Sequence, residues 1–201
     1  MKKIHFAAAA VALLIGPLAR AQTTHFTGWS LGLKLDSATT WTEFIGGGTS
    51  AKISDASQNA SLQAAYSAAL ANHGVLGFGV TYSFGDLKAG SINVGGRNVD
   101  FKLKNMYSVY IEPGYVLNDS WLAYAKLGYY GVRNGEESVD GVTASKTFGG
   151  LGYGVGMRTM LDKKLYLQIE FTQADYNRKT PDFGAYRSMT STGSIGLGFK
   201  F

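Results

Sequence analysis

Along most of this chain apolar residues occupy every second position, and Gly, Ala, Ser, Thr or an occasional charge fills the places between them. Trp29, Leu31, Leu33 and Leu35 alternate with Gly28, Ser30, Gly32 and Lys34. The pattern recurs over 61–70, 76–85, 107–112, 123–130, 151–158, 165–172 and 194–201. A period of two belongs to a strand with two unlike faces, whereas a helix would repeat every 3.6 residues. Residues 60–71 are rich in helix formers, but their alternation and their place in the series favour a strand. Eight strands in series are expected.

The connections alternate in length. Residues 71–74 (ANHG), 118–120 (NDS) and 162–164 (DKK) are tight turns, while 36–59, 86–100, 131–147 and 175–188 are long and polar. Short turns at one end and long loops at the other are the rhythm of a transmembrane barrel, whose strands need about 9–11 residues to cross a bilayer at a tilt. Within the third loop, Asn134-Gly135 and Asp140-Gly141 read as hairpin turns. Pro113 lacks an N–H and predicts a bulge or a strand end.

The direction of the apolar face follows from volume and charge. An eight-stranded barrel holds only one packed set of side chains, too few places for all the apolar residues of these runs. The other face is Gly- and Ala-rich, which is wrong for a water-facing surface. The apolar rows therefore face lipid and the small and polar rows face the lumen, with every backbone group paired in a closed sheet. Trp29, Trp121, Phe199 and Phe201 fall near the strand ends of one side, and Tyr82, Phe84, Tyr107, Tyr129 and Phe171 near the other, as two interfacial girdles require.

The formal net charge is +5, but Lys2, Lys3 and Arg20 supply three of the 19 basic residues, leaving 16 against 14 acids. No basic stripe of the nucleic-acid-binding kind remains. Those three residues belong to a secretory signal: MKK, an apolar stretch over 6–15, and Ala19-Arg20-Ala21 as cleavage site, so that Gln22 begins the mature chain. The organisation expected is a cleaved signal at 1–21 and a barrel domain at 22–201. The chain has no cysteine, so disulfide and thiolate chemistry are excluded.

With these features the mature chain resembles the small outer-membrane β-barrel proteins of Gram-negative bacteria, the opacity-type and OmpA/OmpX-like group called the porin family. Its most specific pieces are IEPGYVLNDSWLAYAKLGY (111–129) and the terminal IGLGFKF (195–201). The resemblance implies an all-β, eight-stranded antiparallel transmembrane barrel in the outer membrane, in contact with lipid and lipopolysaccharide. It implies insertion by the barrel assembly machinery, which reads the last strand through Ile195, Leu197, Phe199 and Phe201. It does not imply one activity, since members include structural proteins, adhesins and immune-evasion factors.

Four inward positions are ionisable: Glu112, Lys126, Arg158 and Glu170. Two acids and two bases at similar depth make a neutral network, because charges held from water need partners. Such a network serves as a structural plug or as a gate on a narrow pore. The inward glycines either leave room for that pore or accommodate Tyr110, Tyr124, Tyr130 and Tyr166.

No catalytic, metal or cofactor site is legible. Lipid A deacylases and palmitoyltransferases on small barrels use a His-based site. Here His25 and His73 lie outside the strands at the short-turn end, and neither stands in a nucleophile pattern. GLGYGVG (150–156) has glycine spacing but lies within a strand, so it is no nucleotide loop.

In the first loop Trp41, Phe44 and Ile45 suit a rim clasp, a lipopolysaccharide contact or an anchor for a host or surface partner. In the fourth, Arg178, Lys179 and Arg187 with Tyr176 and Tyr186 are offset by Asp175 and Asp182, so no heparin or DNA site is assigned. The expectation is a monomeric, mainly structural surface barrel, with a narrow solute channel and an adhesin or immune-evasion protein as alternatives.

Overall fold

The computed structural model describes residues 23–46, 49–70, 73–94, 97–139, 142–179 and 185–201, and side-chain surroundings for 25–43, 54–70, 73–87, 103–132, 147, 149–176 and 188–201. The signal segment 1–21, with Ala19 and Ala21, lies outside the described residues, as does Asp140-Gly141.

The strands are β1 (Gly28–Gly46), β2 (Thr49–Ala69), β3 (Gly74–Ser83), β4 (Leu87–Val94), β5 (Arg97–Asn118), β6 (Trp121–Val139), β7 (Val142–Met160), β8 (Leu165–Lys179) and β9 (Ala185–Lys200). All neighbours are antiparallel, and β3 and β4 share one place: β5 pairs with β3 over its lower half and with β4 over its upper half. The β3–β5 ladder closes the ring, so nine segments make an eight-stranded barrel.

The stagger of the ring can be followed through partners: Trp29 to Tyr66, Phe78, Ile111, Leu127, Tyr153, Gln173, Ser191 and back to β1 at Thr39. The circuit returns 39 − 29 = 10 residues further along β1. For eight strands that stagger sets a tilt of about 41° and a backbone radius of roughly 8 Å. Such a lumen is filled by side chains.

The alternation sorts the faces as expected. Leu33, Leu35, Val80, Leu127, Leu151 and Ile195 are each half or more exposed, and all point outward. Trp29 packs on Tyr66, and Phe199 on Phe201, with ring centroids 5.2 and 5.3 Å apart. At the other end Tyr82 meets Phe84 at 5.6 Å.

Two of the tight turns are held by a side chain. Asn118 Oδ1 accepts the N–H groups of Ser120 and Trp121 at 3.0 Å. Asp162 Oδ1 accepts those of Lys164 and Leu165 at 2.7 Å. Both are Asx turns, the reason Asn and Asp serve in short connections.

Three local expectations change. The long connections are mostly ladder, with β1 and β2 paired out to Gly46 and Thr49, because hairpin strands pair in water as well as in lipid. Asn134-Gly135 is not a turn: it lies inside β6, where the register to β7 shifts between Val132 and Gly135, so the extra residue is absorbed as a bulge. Pro113 neither ends β5 nor shifts it. The ladder to β6 passes from Ile111–Leu127 to Gly114–Tyr124 in unchanged register, so the missing N–H leaves only a local gap in the ladder.

The interruption between β3 and β4 has a visible cause. Phe84 N–H makes the last bond to β2, at Ala60 O, and Leu87 then turns into the lumen at 2% exposure. Opposite this break Asn105 adopts φ 50°, a conformation Asn tolerates better than most residues. Tyr82 OH donates to Asn105 Oδ1 at 3.0 Å and ties the kink to β3.

Candidate functional site in the barrel lumen

The lumen is layered. At the end that holds the tight turns, Phe26 from a short 3-10 turn (Thr23–Phe26) packs with Val75, Val116, Leu122 and Tyr124 as an apolar floor. Above it lies the charged layer. Near the outer end Leu87, Leu103, Met106, Val132 and Tyr176 form an apolar collar. Tyr176, placed in the fourth loop from sequence, is therefore a buried lumenal residue on β8.

The structure brings Glu112, Lys126, Arg158 and Glu170 together, each at most 6% exposed, and the stagger puts them within roughly 8 Å of one height. Arg158 Nη2 donates to Glu112 Oε1 at 2.9 Å and to Gln168 Oε1 at 3.3 Å. Lys126 Nζ donates to Glu170 Oε2 and stands 3.9 Å from Glu112 Oε2.

Two members were missed in the sequence. Lys34 Nζ donates to Glu170 Oε1 at 3.1 Å, and Asp36 Oδ1 lies 4.0 Å from the same ammonium. Lys34 already stood in the polar row of the first alternating run. Asp36 falls in the expected loop 36–59, because the apolar alternation stops at Leu35 while β1 runs on to Gly46. The result is an alternating series, Arg158, Glu112, Lys126, Glu170, Lys34, Asp36, with three positive and three negative groups. In a low-dielectric lumen this order places each charge beside its opposite, which buried ions require.

Tyrosines complete the layer. Lys126 Nζ lies 4.1 Å from the Tyr110 ring centroid, and Arg158 Cζ lies 4.7 Å from that of Tyr166 and 5.3 Å from that of Tyr124. Such contacts favour a cation held out of water. Tyr124 OH donates to Glu170 Oε2 at 3.2 Å. The inward glycines make room for these rings. Tyr110 is paired with Gly79 and Gly128, Tyr124 with Gly156, and Tyr166 with Gly198. A Cβ at Gly128 would stand 2.8 Å from Tyr110 Cβ. The glycines thus accommodate aromatic rings laid along the wall.

Between the charged layer and the collar is a cavity of about 60 Å³, lined by Lys34, Asp36, Lys126 and Glu170 at its floor, by Ser and Thr together with Tyr107, Tyr130 and Ala174, and by the collar residues Leu87, Met106 and Tyr176. Further out, hydroxyls pair across β1 and β9, Thr40 with Thr190 at 3.0 Å and Thr42 with Ser188 at 3.1 Å.

Trp41 is 43% exposed near the outer end of β1; the side chains of Phe44 and Ile45 lie outside the described residues, as do those of Arg178, Lys179, Tyr186 and Arg187. Ile195, Leu197, Phe199 and Phe201 form one outward row, and Phe201 N–H closes the ring on Trp29 O at 3.0 Å. His73 stacks on Tyr115 at 5.4 Å, and its Nδ1 lies 3.1 Å from Val116 O. Among the described residues no group of three His, Cys, Asp or Glu could hold a metal.

A closed barrel with an apolar outside, aromatic girdles and a charged, tyrosine-lined lumen is an integral membrane barrel of the bacterial outer-membrane type. The chain belongs to the outer membrane protein beta-barrel domain family, which it matches over residues 6–201, and it is a protein of the bacterial outer membrane. No curated protein matches it in sequence.

Among solved structures it is similar to Ail, the attachment invasion locus protein of Yersinia pestis. That match has 17% identity, covers 88% of this chain and 100% of the other, and has a TM-score of 0.50. Neisserial surface protein A matches at 17% identity over 84% and 97% of the two chains, with a TM-score of 0.45. OprG of Pseudomonas aeruginosa matches at 13% over 89% and 98%, with a TM-score of 0.44. At such identities the likeness concerns the fold.

Proposed function

We propose that this protein is a plugged, monomeric surface barrel: the lumen stabilises the wall, and the outer hairpins are the part that meets partners. One observation carries the reading. The six-charge series spans the lumen above the apolar floor of Phe26, Val75, Val116 and Leu122 and below the collar around Leu87. A solute would have to part buried ion pairs and two apolar layers. In planar bilayers the protein should show no steady conductance. A steady conductance altered by Glu112→Gln or Arg158→Ala would replace the plug with a gated channel.

The role of the hairpins as a surface for attachment is supported by their length, since β1 and β2 remain paired to Gly46 and Thr49, and by Trp41 exposed near their outer end. Ail, similar in fold, was solved with the heparin analogue sucrose octasulfate. Deleting residues 38–57 should leave a shortened barrel able to fold; unchanged attachment of cells would remove the adhesin reading.

Lipopolysaccharide is the outer-leaflet neighbour, and the barrel assembly machinery delivers the chain after cleavage between Ala21 and Gln22. The protein is not an enzyme in this reading. Mass spectrometry of lipid A with and without it should give the same species.

A further inference from the structure

We infer that the outer chamber of the lumen holds a binding site for a monovalent alkali cation, centred on Asp36. The inference goes beyond the plugged-barrel reading and does not depend on it. Four buried oxygens come here from three adjacent strands. Asp36 on β1 is paired directly with Ser194 on β9 and with Asn59 on β2. Ser61 lies one inward step from Asn59, opposite Lys34. Directly opposed residues hold their Cβ atoms about 5 Å apart, and diagonal ones about 7–8 Å. Asp36 Oδ1, Asn59 Oδ1, Ser61 Oγ and Ser194 Oγ are all buried with no protein hydrogen-bond partner. Asp36 is 7% and Ser61 0% exposed, and Asp36, Ser61 and Ser194 line the cavity.

The chemistry of the set selects the ligand. All four atoms are hard oxygens, the donors that alkali and alkaline-earth ions take. Asp36 is also the least compensated acid of the lumen. Glu170 has two ammonium partners, and Glu112 has one bond from Arg158 Nη2 at 2.9 Å and the Lys126 ammonium at 3.9 Å. Asp36 has only Lys34, at 4.0 Å, which is already bonded to Glu170 at 3.1 Å. Water donating to these oxygens would leave that charge poorly answered, whereas a monovalent cation answers both needs. One carboxylate with a lysine nearby is too little negative charge for a dehydrated divalent ion. The remaining cavity completes the coordination shell with water.

The test has two arms. Crystals of the wild-type protein are soaked in thallium(I), which scatters anomalously and replaces alkali ions; a peak within bonding distance of Asp36 Oδ1 is expected. Density there for water alone overturns the site. In the second arm, urea unfolding in lipid vesicles is followed while sodium replaces N-methylglucamine at constant ionic strength. Sodium should slow unfolding by about threefold or more, and Asp36→Asn or Ser61→Ala should abolish the difference. Equal rates in both cations for the wild type, which needs no variant to fold, overturn the proposal.

Discussion

Glu170 holds the most exposed consequences of a single side chain, because two ammonium groups, Lys34 and Lys126, and Tyr124 OH all converge on its carboxylate. Glu170→Gln leaves two buried cations short of a counter-charge and should cost roughly 3–5 kcal/mol. Urea unfolding of the vesicle-inserted barrel measures it, and adding Lys34→Met should recover part of the loss. No recovery would mean that the two residues do not act as a pair.

The Asp162 turn predicts a pH effect. Backbone N–H groups of Leu165 and then Lys164 hold its exposed carboxyl below the ordinary aspartate range. A depressed pKa means that the turn is favoured fully above the unfolded value and loses this contribution as pH falls through the folded one. Carbon NMR of the Asp162 carboxyl should titrate below a free aspartate. A normal midpoint would show that the turn does not hold it. Asp162 and Asn118 were legible as turn residues, since Asx chemistry is local. The partners of Glu170 were not, since Lys34 is 136 positions away.

At the scale of the strand, β9 combines two roles that separate by experiment. Phe201 is 66% exposed and adds to the fold one backbone bond and an edge contact with Phe199. Its removal should hardly change the urea stability of protein refolded into detergent. If Ile195, Leu197, Phe199 and Phe201 are the assembly signal, the same deletion should lower outer-membrane levels several-fold in cells. Normal levels would refute that role. The alternating runs foretold the eight strands that cross the membrane, because lipid on one side and a packed lumen on the other impose a period of two, but not β4, which lies in the expected loop 86–100. Strand ends were read less well. Towards the outer end the outward positions turn polar, so the apolar alternation fades while the ladder and the inward burial continue, as in β1 beyond Leu35, where Ala38, Thr40 and Thr42 stay buried, and in β6 beyond Tyr130, where Val132 does.

For the whole molecule, ring closure predicts cooperative behaviour. Apart from β4, which pairs with β5 alone, every strand is paired on both sides, with β3 and β5 closing the circuit, so the membrane-crossing ring offers no free edge for detergent to open. The folded barrel should stay compact in SDS and shift on a gel only after boiling. Leu127→Arg on the lipid face should cost about 2–4 kcal/mol, and an unchanged stability would place that face away from hydrocarbon. By itself the sequence determined the fold class, the strand count, the facing of the rows and the membrane as solvent, because all of these follow from periodicity and from the reach of a closed sheet. Only the tertiary structure decided that the inward glycines seat tyrosine rings, that β4 bends Leu87 over the lumen, and that Lys34 and Asp36 extend the charge series. Those outcomes depend on the ten-residue stagger of the barrel, which sets residues from distant strands at one height, and no local pattern of residues encodes it.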